Sequence, residues 1–471
     1  MARRTHRNQS GTISILSVFA VLLLTMLLGM VMNVGRQVDG KIRLQNAADA
    51  AAYSGGLVLA RGMNSLAFTN HLLCEVFAMT AFMREARDRH ADKYVPDILE
   101  AWEKEAPVFS GSGFEKFENL GPAISQKVPL EQELVRSYSE WAAAVSDAVL
   151  PLMEKILGEP DDPTTHLIPE YQRAVVEAIP DMAQHAAMTV AALNGQPDYG
   201  RGPMLGVLWH AGTRQAVGGD YLASLAVNPN GDAAIPAGSS HFSKAREQRD
   251  HLANTYLTGW NYQVLAFFDY GAKMSQFASL WRGFTCGQLR KLLDEYPDSN
   301  LPFMIETELQ RGGTLDYYET YMAENLTFLA VVYWGKAPGL SPGLFRSPIA
   351  GDALGFAQVR VFVPTSRLVW GTYLPASPSI PMGGPPGYQW PTDTPSSTGT
   401  PSWGPTRQSG VSTSWDLLNQ HWTCQLVPAV HANVLEILQT PPPVSMPGRD
   451  PITLPNLAGM NSRDLEQISY H

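Results

Sequence analysis

Residues 13–52 read ISILSVFAVLLLTMLLGMVMNVGRQVDGKIRLQNAADAAA, and the fold follows from how that stretch divides. Its first part, 13–34, holds no charged residue. As a helix rising about 1.5 Å per residue, a run of that length covers a hydrocarbon core about 30 Å thick. It therefore predicts a transmembrane helix over 13–34, with the lipid bilayer as its first partner. Arg3, Arg4 and Arg7 stand in the leader, 1–12, and Arg36, Lys41 and Arg43 beyond the span, alongside Asp39. Lys and Arg balance across it, and the acid-free leader places the N-terminus in the cytoplasm and the body outside. A cleaved signal peptide is the rival reading. The apolar run exceeds the usual span of about 7–15 residues, and the A-x-A-like site Ala48-Asp49-Ala50 lies far past it. A buried helix of a soluble protein is the third.

Beyond 34 the helix has reason to continue. From Gln37 to Arg89 there is no proline, and Ala47, Ala48, Ala50, Ala51 and Ala52 are strong helix formers. Leu59, Met63, Leu66, Asn70, Leu73 and Phe77 then recur at spacings of four and three, a one-sided helical stripe. Small residues at Ala48, Ala52, Gly55 and Gly56 allow another helix to approach closely. Ala48, Ala52, Gly55, Gly56, Leu59, Met63, Leu66 and Leu73 are thus the candidate helix-packing interface. It serves either a partner or second copy, or the chain's own core. Gly55, Gly56 and Gly62, each costing about 1 kcal/mol against Ala, predict a kink. The charged run 84–93 reads as a solvated last turn, with Pro96 as its stop.

Further along, 131–157 and 171–193 are amphipathic helices that Pro151 and Pro180 are expected to kink or split. Residues 194–240, rich in Gly, Pro and Asn, read as loop with short extended pieces. Residues 241–296 read as one or two helices. The character then changes. Residues 327–334 (TFLAVVYW) form a buried strand, 357–363 (AQVRVFV) a half-buried one with Gln358 and Arg360 on one face, and 368–373 and 423–427 weaker ones. The expected fold is α+β: a long N-terminal transmembrane and stem helix, a mostly helical middle, and a small antiparallel sheet towards the C-terminus. In boundaries, this gives a leader at 1–12, a span at 13–34 and a helical stem at 35–93. An extracytoplasmic body follows at 94–374, then a Pro/Gly/Ser-rich excursion at 375–410, a return strand at 411–440 and an irregular tail at 441–471.

The chain of 471 residues carries a net charge of −10, with no Lys/Arg cluster after the leader, which excludes a nucleic-acid footprint. Its three cysteines, Cys74, Cys286 and Cys424, form neither a zinc spacing nor a disulfide framework. Cys286 and Cys424, each following a Thr in an aromatic-rich segment, are the candidate disulfide in an oxidising compartment; three free thiols are the alternative.

The N-terminal segment resembles the N-terminal module of Tad-type (Flp) pilus-assembly proteins, the TadE/TadG-like group. The resemblance covers about the first sixty residues and rests on Gly11, Asn33, Gly35, Arg36 and above all the LQNAADAAA string at 44–52. It implies an anchor in the bacterial inner membrane, an extracytoplasmic body, and a part in assembling a pilus or secretion apparatus, with other membrane proteins of that apparatus as partners and no cofactor. Two features depart from the group. Relatives cut by a prepilin peptidase carry Glu five residues after the cleavage Gly, whereas Leu16 stands five after Gly11. The Asp-x-Ser-x-Ser metal string of von Willebrand A-type domains does not occur.

Three catalytic patterns tempt and fail on their chemistry. Gly339-Leu340-Ser341-Pro342-Gly343 fits a nucleophile elbow, but Pro342 has no N–H to give the oxyanion, so it reads as a turn. His71 and Glu75, with Cys74 beside them, have helical metal-ligand spacing without a second cluster to complete the shell. His241 and His251 point to no site. No catalytic, cofactor or metal residue is assigned, and the chain is read as no enzyme. The alternatives are a membrane-tethered enzyme acting on an envelope polymer, and an adhesive ectodomain using Trp370, Trp390, Trp403, Trp415 and Trp422 if those are exposed.

Overall fold

The computed structural model describes residues 10–88, 91–195, 202–218, 226–227, 245–246, 249–250, 252–254, 256–257, 288–305, 326–335, 353–362, 369–370, 405–406, 420–429, 433–457, 459 and 461–464. The protein is mostly helical, with a long apolar N-terminal helix and a four-stranded antiparallel sheet towards the C-terminus, as the α+β reading expects.

Helix α1, Ser10–Asp88, runs 79 residues without interruption, about 120 Å at the α-helical rise. The chain stays helical through Gly55, Gly56 and Gly62, the positions at which a kink is expected. Those glycines are where neighbours come close. A Cβ on Gly55 would stand 2.9 Å from Leu208 Cδ2, one on Gly56 2.9 Å from Val359 Cγ2, and one on Gly62 2.7 Å from Ile179 Cδ1.

The charged run after α1 also differs from the expectation. The helix ends at Asp88, and Pro96 lies within a second helix, α2, Ala91–Ser110. Arg84 is held between Glu154 (3.0 Å) and Glu295 (2.8 Å), and Glu85 is buried, so the start of the run is docked while Arg87 and Asp88 stay exposed. After the short α3 (Glu115–Glu118) comes α4, Leu120–Leu157, and then α5, Leu167–Asn194. Both longer helices pass through their prolines, Pro129 and Pro151 in α4 and Pro180 in α5, instead of splitting. Each proline removes one backbone hydrogen bond; the buried faces on either side hold the helix together.

The sheet has the order β1-β4-β5-β8, all pairs antiparallel. Its strands are β1 (Leu205–His210), β4 (Thr327–Trp334), β5 (Ala353–Phe362) and β8 (Thr423–Val427). Two further two-residue pairs form separately: β2 (Ala226–Val227) with β3 (Met304–Ile305), and β6 (Val369–Trp370) with β7 (Pro405–Thr406). β1 is one of the short extended pieces expected within the loop-like segment 194–240. Its LGVLWH is as strand-like as TFLAVVYW, but the Gly and Pro around it hide the signal.

Alternation divides the sheet into two faces. Phe328, Ala330, Val332 and Trp334 of β4, with Ala357, Val359 and Val361 of β5, face α1 and α5. Leu329 and Val331 face the other way, onto α6 (Val434–Gln439) and the tail, where Ile437, Leu438, Val444 and Leu454 cover them. The tail is irregular but seals half of the sheet, closed by the Val444–Ile452 bridge.

Candidate functional site

The feature that bears on function is α1 itself, which changes character along its length. From Ile15 to Val34 every large apolar side chain is exposed, 65% at Ile15 and 50% at Val34. So many uncovered Leu, Val, Phe and Met side chains cannot face water; an exposed apolar surface of this extent marks contact with lipid or protein. Among the described residues α1 is the one helix long and apolar enough to cross a membrane.

Among the described side chains the first buried one is Leu44, set against Gly355, where a Cβ would stand 2.8 Å from Leu44 Cγ. From there the helix enters the body. Ala47, Ala48, Ala51 and Ala52 are fully buried with Ala183, Ala187 and Ala191 of α5 in one cluster, so small residues on both helices meet. α5 runs antiparallel to α1, since Gly55 lies by Ala187 and Gly62 by Ile179. Leu59, Met63 and Leu66 continue into the same core, and Leu73, Cys74, Phe77, Ala81 and Phe82 into a second one with Leu150, Leu157 and Tyr296. Ala48, Ala52, Gly55, Gly56, Leu59, Met63, Leu66 and Leu73 are thus brought onto one side of the stem and covered by other parts of the same chain.

Polar side chains pin the stem at three levels, and sequence reasoning missed their role. Gln45 Nε2 donates to the Phe356 carbonyl at 3.3 Å. Asn64 donates to the Trp422 carbonyl (2.9 Å) and accepts from its N–H (2.8 Å). Asn70, buried, does the same to Phe303 (2.9 and 2.8 Å) and also accepts from Gln172. An Asn in an otherwise apolar stripe was the signal: a buried amide must find partners, and here it finds backbone. Farther on, the buried Arg249 guanidinium donates to the carbonyls of Tyr296 (2.6 Å) and Ser299 (2.8 Å), pairs with Asp250 and lies 5.0 Å from the Phe77 ring. Burial lowers the Arg249 pKa and raises that of Asp250, and their pairing opposes both shifts.

Cys74 is buried beside that ion pair and its thiol is pushed up to about 12 by burial, so it is no ready thiolate. His71 meets the Tyr256 hydroxyl through Nδ1. Among the described residues no three His, Cys, Asp or Glu side chains gather as for a metal. Cys424 has a buried free thiol 3.6 Å from the Tyr53 carbonyl, also raised by burial, to about 11; Cys286 lies outside the described residues. The Gly339–Gly343 turn, His241, His251, Trp390, Trp403 and Trp415 also lie outside them, while Trp422 is buried in the core.

Residues 11–61 match the family model described as putative Flp pilus-assembly TadE/G-like. That segment is the exposed, membrane-suited part of α1 plus its first buried turns. No curated protein and no solved structure matches the chain. A pilus-assembly module joined to a candidate membrane helix supports a membrane-anchored component of pilus assembly.

Proposed function

We propose that the chain is a single-pass structural component of a Flp-type pilus or related secretion apparatus in the bacterial inner membrane, with its N-terminus in the cytoplasm and its body outside. It works by contact, not catalysis. One observation carries this reading: the matched residues 11–61 lie on a single helix whose apolar, exposed first part continues into the buried core of the body. The span sets depth in the membrane, and the stem fixes the sheet and helical bundle relative to it. Lateral contacts with other membrane helices, or with a second copy, fall to the uncovered length of α1 before Leu44, because the stripe beyond it is taken by the chain's own core.

The test uses native membranes of the host. After alkaline carbonate washing the protein is expected in the pellet. In spheroplasts added protease is expected to degrade the body. Detergent extracts are expected to yield it together with pilus-assembly proteins. Release by carbonate, or protection of the body in intact spheroplasts, would overturn the anchor or its orientation; solubilised protein free of such components would overturn the assembly role.

A further inference from the structure

Helix α2, the short α3 and the first part of α4 form an arm of the protein. α2 packs on α4 through Ala106, Ile124 and Val128, with Leu99 and Phe109 alongside. The direction of the arm follows from α4. Ser146 Oγ donates to the Met83 carbonyl, and Leu157, at the other end, lies in the core with Leu73. From Ser146 onward α4 therefore runs back along α1, and its residues before about 140 extend past Asp88, the end of α1. At 1.5 Å per residue the tip lies about 40 Å beyond Met83, which is itself about 75 Å along α1 from Val34.

That tip is aromatic and uncovered. Phe109 stacks on Phe117 at 5.8 Å, Phe114 meets Phe117 edge-on at 6.3 Å, and Phe114 and Phe117 are 67% and 45% exposed. Val108 and Trp102 continue the apolar surface down α2. Around it the arm is acidic: residues 97–133 hold eight carboxylates and three lysines, of which Lys104 pairs with Glu100 and Lys127 with Glu131.

We propose that the arm docks its tip into a protein partner that offers an apolar pocket for Phe114 and Phe117 rimmed by Lys or Arg. The inference rests on the membrane anchoring argued above. Reach removes the chain's own membrane as the occupant. Charge removes an anionic lipid surface, and it disfavours a second copy, whose net charge of −10 includes no basic cluster outside the leader. Apolar anchors inside a charged rim are the pattern of a protein contact, and acidic groups around them steer a basic partner.

The experiment places the photoreactive residue benzoyl-phenylalanine at position 114 of the full-length protein, in native membranes, with position 68 on the body as control. The expected result is a position-114 adduct with one other protein, attached at a peptide where Lys or Arg flanks apolar residues. Its yield should fall about tenfold when membranes are equilibrated in about 0.5 M salt before illumination, and again in the Glu103→Lys/Glu118→Lys variant. Those side chains are exposed, so helicity by circular dichroism should stay unchanged and exclude misfolding as the cause. An adduct of twice the chain's mass, a lipid adduct, a yield indifferent to salt and charge, or no adduct overturns the proposal. Any of these with the protein still in the carbonate pellet overturns the arm alone, whereas loss from the pellet overturns the anchor.

Discussion

Gly62 shows what the small residues of α1 accomplish. A Cβ there would lie within 2.8 Å of three Ile179 atoms, which a packed core cannot absorb. Gly62→Ala is expected to destabilise the body by about 1–3 kcal/mol, read as a lower midpoint of thermal unfolding. Adding Ile179→Ala should return part of that loss; a Gly62→Ala midpoint equal to wild type would show that the contact yields. His166 gives a second expectation at this scale. It is buried, its Nε2–H donates to the Glu159 carbonyl at 2.8 Å, and its ring meets Tyr296 edge-on. Burial lowers its pKa from the ordinary 6.5, opposed in part by the bond to Glu159. A histidine whose folded-state pKa is depressed adds stability above its unfolded value and loses it as pH falls below that value. Acidification from pH about 7 to about 5 should therefore lower the denaturation midpoint more in wild type than in His166→Gln, which keeps a donor but does not titrate there. Equal slopes would refute this. Asp250, raised by burial, acts in the opposite sense, so the difference between the two proteins is the informative quantity.

At the scale of elements, the strongly patterned parts were legible. The apolar span, the proline-free stem, and the strands at 327–334 and 423–427 stand where periodicity and β-branched content put them. What was not legible has physical causes. Pro96 and Pro107 disguise α2, which survives them because its partner α4 supplies packing that local propensity does not register. The stem glycines read as weak points because sequence cannot show that Leu208, Val359 and Ile179 occupy the space they leave. The candidate site was readable as a helix face, and its surroundings were not: α5 and the sheet reach α1 from more than a hundred residues away, beyond any local pattern. A test follows. Ala48→Leu and Ala52→Leu force larger side chains into the buried seam between α1, α5 and the sheet. Each should cost about 1–3 kcal/mol of body stability and leave carbonate-resistant membrane association intact. Unchanged unfolding midpoints would mean that the seam opens to admit them.

For the whole molecule, the two parts of α1 are separable by design. The core begins at Leu44, so deletion of residues 1–38 should give a water-soluble body with the unfolding midpoint of the detergent-solubilised full-length protein; aggregation or a much lower midpoint would show that the span supports the fold as well as the position. Between the span and the end of the stem, α1 is one uninterrupted helix. About 80 Å of continuous helix connects Val34 to Asp88. A span that tilts by about 20° to match a thinner bilayer swings the far end sideways by about 28 Å. The thickness of the surrounding lipid is thereby geared to how far from the membrane axis the molecule can reach, as a lever converts a small rotation at its pivot into travel at its end.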